Sequence, residues 1–161
     1  MKKVVLITGG SGTIGMAIAK KYQSNNYNVI ITYLTRLPQL PGDILALKCD
    51  VKDSKNVKEC IDTVVKKYNR VDVLINLAGT SIDKLLLQMT DEEWDIVIKT
   101  NLYGTFYFTR EVAKIMIKQK SGHILTISSF TAYEGTVGCI NYTSSKGALI
   151  SFTKSAAREL G

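Results

Sequence analysis

The chain has 161 residues, 45% hydrophobic and 22% charged, a composition expected of one globular unit long enough to bury a core. Lys and Arg outnumber Asp and Glu by 21 to 14, a formal net charge of +7. Lys52, Lys55, Lys58, Lys66, Lys67, Lys114, Lys118 and Lys120 are nevertheless scattered among acids, which describes solvated helix faces better than a nucleic-acid patch. Cys49, Cys60 and Cys139 are odd in number and lack paired spacing, so neither a disulfide framework nor a zinc site is expected, and a reducing cytoplasm is. The opening MKKVVLITGG has too short an apolar run for a signal-peptide core or a membrane span. His123 has no second His or carboxylate at ligand spacing and reads as a structural residue at the start of a strand.

Apolar runs of strand length alternate with longer segments of helical period, and no repeat or linker interrupts them. This is the α/β pattern of a parallel sheet with helices on both faces. Val4 to Thr8 reads as the first strand, followed by a helix from Thr13 to Gln23 with Ile14, Ile18 and Tyr22 on one face. Val29 to Tyr33 is the second strand. Pro38, Pro41 and Gly42 then leave little room for a helix before the third, Ile44 to Lys48, so this crossover is abbreviated. A charged helix spans Ser54 to Tyr68, with Ser54 as its N-cap, and a fourth strand spans Val71 to Asn76. Thr90 and Glu93 have capping-box spacing at the start of a helix from Asp91 to Asn101, and a long helix runs on to about Gln119. The strand His123 to Ser128 and a helix from about Asn141 to Leu160 follow, with Gly161 as a helix-ending residue.

Two places carry chemistry. The first strand runs through Thr8-Gly9-Gly10-Ser11-Gly12-Thr13-Ile14-Gly15 straight into a helix, and Gly10, Gly12 and Gly15 satisfy G-x-G-x-x-G. Glycines there let backbone approach a pyrophosphate, and the helix N-terminus offers N–H groups and a favourable dipole. Tyr142 and Lys146 lie four apart on the last helix, so phenol and ammonium share a face, where the cation favours phenolate for proton transfer; a boundary tyrosine and a solvated lysine on an amphipathic helix is the plainer reading of the pair alone. The preceding strand ends in Ser128-Ser129, at the carboxyl edge of the sheet, where ligands sit in doubly wound folds. After the second strand, Thr32-Tyr33-Leu34-Thr35-Arg36 contains no acid. Thr35 and Arg36 could therefore meet a ribose 2′-phosphate, which favours NADP(H) over NAD(H), and Arg36 as a plain exposed loop residue remains the alternative.

In order and spacing, these features resemble the short-chain dehydrogenase/reductase family, and its 3-oxoacyl-carrier-protein-reductase-like branch most. The resemblance runs from Lys2 to Gly161. It joins the glycine turn, Asp50-Val51 after the third strand, Asn76-Leu77-Ala78-Gly79 after the fourth, Asn101, and Ser129 followed thirteen residues later by Tyr142 and then Lys146. It implies a Rossmann-like doubly wound sheet and hydride transfer between NADP(H) and a carbonyl or alcohol carbon. Tyr142 would then be the general acid and base, and Ser129 would hydrogen-bond the substrate oxygen. Lys146 would hold the nicotinamide ribose and favour the Tyr142 phenolate, and Asn101 would anchor a water in the proton relay. Gly9, Ser11, Gly12, Thr13, Ile14 and Gly15 would cradle the cofactor, Asp50 and Val51 would face the adenine, and Asn76, Ala78 and Gly79 would line the cofactor beside the sheet. Plainer alternatives stand beside three of these: Asp50 as a turn residue, Asn101 as a cap, and Gly79 as a strand break. The resemblance further implies a small-molecule or acyl-carrier-bound carbonyl substrate bordered by Phe130 to Asn141, including Tyr133 and Cys139, and a homodimer or homotetramer formed through helices 101 to 119 and 142 to 160.

The sequence also departs from the family. Thr13 stands where single-domain members usually have glycine, Leu77 replaces the second asparagine of N-N-A-G, and the crossover at residues 34 to 43 lacks a helix. Members continue past the Tyr-Lys helix into a sixth strand, a Pro-Gly turn, a substrate lid and a seventh strand. The expectation is therefore a single dinucleotide-binding and catalytic domain over residues 1–161, incomplete at its C-terminal side, with His123 to Ser128 as an apolar sheet edge. A non-catalytic dinucleotide-binding or interaction protein, a truncated remnant of such an enzyme, is the alternative reading.

Overall fold

The computed structural model describes residues 2–37 and 39–161. Pro38, one of the residues expected to shorten the second crossover, lies outside them. β1 (Val4–Ile7), β2 (Asn28–Tyr33), β3 (Leu45–Lys48), β4 (Val73–Asn76) and β5 (His123–Thr126) form one five-stranded sheet in the order β3-β2-β1-β4-β5. Every pairing is parallel, with Val5 opposite both Val29 and Val73. The three inner strands are mostly apolar over these registers because both of their faces are covered, and their polar residues, Asn28, Thr32, Tyr33 and Asn76, fall at or near the strand ends.

Side-chain alternation along the strands divides the core in two. Val4, Leu6, Ile30 and Leu74 point to one face, where they meet Val57, Ile61 and Val64 of α2 (Ser54–Tyr68) and Phe108, Val112 and Met116 of α4 (Gly104–Gln119). Val5, Ile7, Ile31 and Ile75 point to the other, against Ala19, Met16, Ile18 and Tyr22 of α1 (Thr13–Ser24). Ile18 and Tyr22 thus pack as their spacing predicts, but Ile14 is 65% exposed. The first turn of α1 projects beyond the end of the sheet, so its apolar face has nothing to cover there.

The described residues between β2 and β3 carry no helix, in line with the abbreviated crossover, and Gln23 Nε2 holds that segment through Pro41 O at 2.9 Å. The N-cap of α2 is Asp53 rather than Ser54: its carboxylate accepts from the N–H groups of Lys55 and Asn56, and two bonds to one anionic cap outweigh one to a serine hydroxyl. At α3 (Asp91–Ile98) the capping box of Thr90 and Glu93 forms in full. α3 does not end before α4. A π-helical turn, Lys99–Tyr103, joins the two, and it carries Asn101. A four-residue α5 (Thr131–Glu134) precedes the long α6 (Ile140–Leu160).

The two ends of the sheet differ in kind. At the amino end, Asp72 accepts from Val4 N–H at 2.7 Å and from Arg70 Nε and Nη2 at 2.9 and 2.6 Å, and its own N–H donates to Val4 O at 2.9 Å. Its carbonyl takes the N–H of His123, so one residue ties the starts of β1, β4 and β5. His123 begins β5 as expected but is exposed. β5 borders the sheet with Leu125 43% exposed, beside a cleft of about 580 Å³ between α4 and α6. Among the described residues, no helix is long and apolar enough to cross a membrane.

Burial alone would raise the Asp72 carboxyl, but Arg70 and the Val4 N–H hold it below the ordinary carboxylate range. Asp72→Ala leaves the buried Val4 N–H and a partly exposed guanidinium without their partner, and is expected to cost about 2 kcal/mol in urea unfolding. The native carboxyl titrates lower than the unfolded one. Its contribution is therefore complete above about pH 4 and falls away as pH drops through the native value, so the gap between parent and variant should close in acid.

Candidate active site

At the carboxyl end of β1 the chain turns sharply before entering α1. Gly9 adopts φ +63°, and a Cβ there would lie 2.8 Å from the Cα of Ala78. Gly15 packs as closely, since its Cβ would come within 2.5 Å of Gly10 Cα. The turn is thus pressed between the sheet and its own helix. Gly12 is the N-cap of α1, no side chain caps the helix, and no acid lies in its first turn. α2 and α3 fill the same position with Asp53 and Thr90. The leading N–H groups of α1 are therefore left for an anion, with Gly12, Thr13 and Ile14 exposed around them.

Two threonines not singled out in the sequence secure this turn. Thr8 Oγ1 accepts from the N–H groups of Leu77 and Ala78, each at 3.0 Å, and Thr32 Oγ1 accepts from Gly9 N–H at 3.1 Å. Both are nearly inaccessible, and a buried hydroxyl at the end of an otherwise apolar strand was the signal available. Thr8 draws the ends of β1 and β4 together, which places Ala78 and Gly79 beside the glycine turn. Asn76, 3% exposed, donates to Thr109 Oγ1 at 3.0 Å, and its Oδ1 has no hydrogen-bond partner among the described residues.

Beyond Gly79 lies a buried polar cluster. Asn101 is fully buried: its Oδ1 accepts from Thr80 N–H at 2.8 Å, and its Nδ2 donates to Thr80 O at 3.0 Å and to Ser145 Oγ at 2.9 Å. A Cβ on Gly79 would lie 3.2 Å from Asn101 Oδ1 and 3.6 Å from Lys146 Nζ. The glycine thus leaves the approach to both groups open. Lys146 is 4% exposed and its Nζ donates to Ile127 O at 2.7 Å. No carboxylate among the described residues pairs with it, and burial lowers its proton affinity below that of free lysine. The ammonium sits 5.7 Å from the centre of the Tyr142 ring, so phenol and cation do share one side of α6.

Ser129 follows β5, and its Oγ accepts from Thr131 Oγ1 at 2.9 Å and Thr131 N–H at 3.3 Å, which leaves its own proton to donate. Ser128 Oγ donates to Lys146 O at 2.8 Å, fastening α6 to the strand end. Tyr133, in the intervening α5, is 78% exposed. Cys139 donates to Asp83 Oδ1 at 3.4 Å, and that carboxylate raises its thiol above the ordinary value.

The adenine-side candidates lie at the other flank. Asp50 Oδ1 accepts from Lys52 N–H at 3.0 Å and its N–H donates to Asn56 Oδ1 at 2.8 Å, so it serves as a turn residue whatever else it contacts. Val51 is buried against Gly104, whose Cβ would come within 2.8 Å of Val51 Cγ2. Thr35 and Arg36 are exposed in the loop after β2. Among the described residues, no cluster of His, Cys, Asp or Glu is suited to a metal ion.

A parallel sheet with an uncapped glycine turn after β1 and polar groups converging after β4 and β5 defines a dinucleotide-binding α/β domain. The short chain dehydrogenase family profile matches residues 3–161. A 3-oxoacyl-acyl-carrier-protein reductase of Chlamydia pneumoniae is 36% identical over 167 residues, covering 98% of this chain and 67% of that enzyme. Its counterpart in Thermotoga maritima is 38% identical over 167 residues, covering 98% and 68%. Among solved structures, ElxO with NADP bound superposes with a TM-score of 0.92 at 37% identity, covering 99% of this chain and 68% of that one. A Tyr-to-Phe variant of ElxO with NADPH bound gives a TM-score of 0.93 at 39% identity. The chain belongs to the short-chain dehydrogenase family of NAD(P)-dependent oxidoreductases.

Two measurements check the geometry without any substrate. Gly9→Ala forces a side chain into a left-handed turn against backbone, and should lose about 2 kcal/mol or more in urea unfolding. Lys146 binds its proton less tightly in the native than in the unfolded state. The parent chain should therefore gain stability relative to Lys146→Met as pH rises through the native lysine value towards about 10.4, where the adverse term disappears.

Proposed function

We propose that this chain is the dinucleotide-binding and catalytic domain of an NADP(H)-linked ketone reductase, acting on 3-oxoacyl or related carbonyl substrates. The observation that carries the reading is the buried Lys146 ammonium, without a carboxylate partner, beside both Gly79 and the Tyr142 ring. A buried unpaired cation is costly, and a site where it meets a ligand hydroxyl and a phenol explains its retention.

The residues fit a dinucleotide. The uncapped N-terminus of α1 suits a pyrophosphate, and the open approach past Gly79 suits the nicotinamide end. Asn76 Oδ1 lies buried without a partner in the same crevice. NADPH, when bound, supplies the hydride. Tyr142 then gives its hydroxyl proton to the carbonyl oxygen as negative charge develops there, and Ser129 donates a hydrogen bond to the same oxygen. Lys146 would hold the ribose hydroxyls and favour the phenolate that remains, and Asn101 would anchor the water from which the phenol is reprotonated. Gly9, Ser11, Gly12, Thr13, Ile14 and Gly15 would hold the pyrophosphate, Asp50 and Val51 the adenine side, and Asn76, Ala78 and Gly79 would line the cofactor beside the sheet.

Exposed Thr35 and Arg36, with no acid between Thr32 and Leu37, support NADP(H) over NAD(H). The names of the reductase relatives support a 3-oxoacyl substrate, free or carried on acyl-carrier protein. A homodimer or homotetramer through α4 and α6, in the cytoplasm, accords with the same relationship.

NADPH oxidation in the presence of a 3-oxoacyl thioester tests the reading. Tyr142→Phe should reduce turnover at least about a hundredfold, the scale of general acid catalysis, while NADPH still binds in fluorescence titration. Full activity in that variant would refute the assigned chemistry, and cofactor binding without turnover by the parent would favour the non-catalytic alternative. Arg36→Ala should weaken NADPH about tenfold and leave NADH unchanged.

A further inference from the structure

Ser145 is as inaccessible as Asn101, at 0% exposure, yet it is no part of the chemistry above. Its Oγ donates to the carbonyl of Tyr142 at 2.7 Å and accepts from Asn101 Nδ2 at 2.9 Å. A hydroxyl has one proton, and here that proton goes to Tyr142. Towards Asn101 the serine can then only accept, which compels the amide to turn its nitrogen to α6. Asn101 Oδ1 is left facing the other way, onto the N–H of Thr80. Thr80 O takes the second proton of Nδ2, so its peptide is gripped at both ends.

The chain Thr80, Asn101, Ser145, Tyr142 therefore crosses three elements: the segment after β4, the π turn and α6. Ser144, its neighbour, is exposed, so the two serines before Lys146 have different surroundings.

We propose that Ser145 is a positioning residue whose hydroxyl sets the separation between the Tyr142–Lys146 face of α6 and the Gly79–Thr80 segment. This inference rests on the ketone-reductase reading above for its kinetic consequence, but not for its structural one. In that reading hydride donor and proton donor are held by opposite sides of the crevice. A shift of a few tenths of an ångström between them slows the chemical step and leaves ground-state binding almost untouched.

Two sets of measurements separate the claims. In amide exchange by NMR, without cofactor or substrate, Ser145→Ala should speed exchange of Thr80 N–H about tenfold relative to amides of β1. Unchanged Thr80 exchange overturns the network whether or not the protein reduces a ketone. In kinetics, kcat of Ser145→Ala should fall about tenfold with the carbonyl KM within about twofold, and the isotope effect with deuterated NADPH should grow as hydride transfer becomes more limiting. Ser145→Thr should recover most of kcat, and Ser144→Ala should match the parent. A kcat within about twofold of the parent, or a loss matched by the unfolded fraction in circular dichroism, overturns the positioning role. Should Ser145→Ala not fold, Ser145→Cys keeps the volume with weaker hydrogen bonds and should shift both readouts in the same direction. A parent chain that reduces no 3-oxoacyl thioester rejects the functional reading, and Thr80 exchange then decides the structural one.

Discussion

A parallel sheet buried on both faces has only its two ends for polar chemistry, and the rest of this structure follows from that constraint. The faces of β1, β2 and β4 are spent on α1, α2 and α4, so their side chains are apolar through the middle of the paired registers. The amino end is used for closure: Asp72 ties three strands and is itself neutralised by Arg70. The carboxyl end is left open, because each strand there must release its chain into a turn. Thr8, Asn76 and Ile127 act at those releases, holding neighbouring turns at a fixed distance from one another.

Within the site, stability and function oppose each other at Lys146. Its long side chain fills the space below Gly79, and a backbone carbonyl is the protein group that receives its ammonium. A carboxylate partner would have made the lysine easier to bury, but it would also have neutralised the positive charge that the proposed chemistry uses. The neutral carbonyl of Ile127 orients the cation without cancelling it. Much the same logic applies to α1, where the absence of an acidic or hydroxyl cap keeps the helix N-terminus available to an anionic ligand.

The succession of strands and helices was legible because two periods, near two and near 3.6 residues, are written in the apolar residues. So was the capping box of Thr90 and Glu93. The errors lie where tertiary position decides. Asp53 and Ser54 are both good caps, and adjacency alone did not show which would point at the free N–H groups. The helical period placed Ile14 with Ile18 and Tyr22, but not where the sheet beneath them ends. Of the site, Tyr142, Lys146 and Ser129 stood out by spacing. Ser145 did not, because Ser144 and Ser145 are chemically identical and only the facing of α6 separates them. The π turn has no signature in its residues, and the bonds of Asn101 to Thr80 and Ser145 within it are tertiary contacts.

The strand order also governs how the molecule assembles during synthesis. β1 sits between β2 and β4, yet its partner Asn28 lies 24 residues from Val4 while Val73 lies 68 residues from Val5. Closing the longer loop costs only about 1 kcal/mol more entropy, by the logarithmic dependence on length. The difference in time is larger. On a ribosome adding about 5–20 residues per second, the β1–β2 pair can emerge seconds before β4 does. During that interval Val5 and Ile7 have one strand neighbour and one bare edge, and Thr8 has none of the amides it later binds. The carboxyl-end crevice is therefore completed after the strand that begins it, which makes the nascent β1 edge the segment most in need of protection while the chain is short.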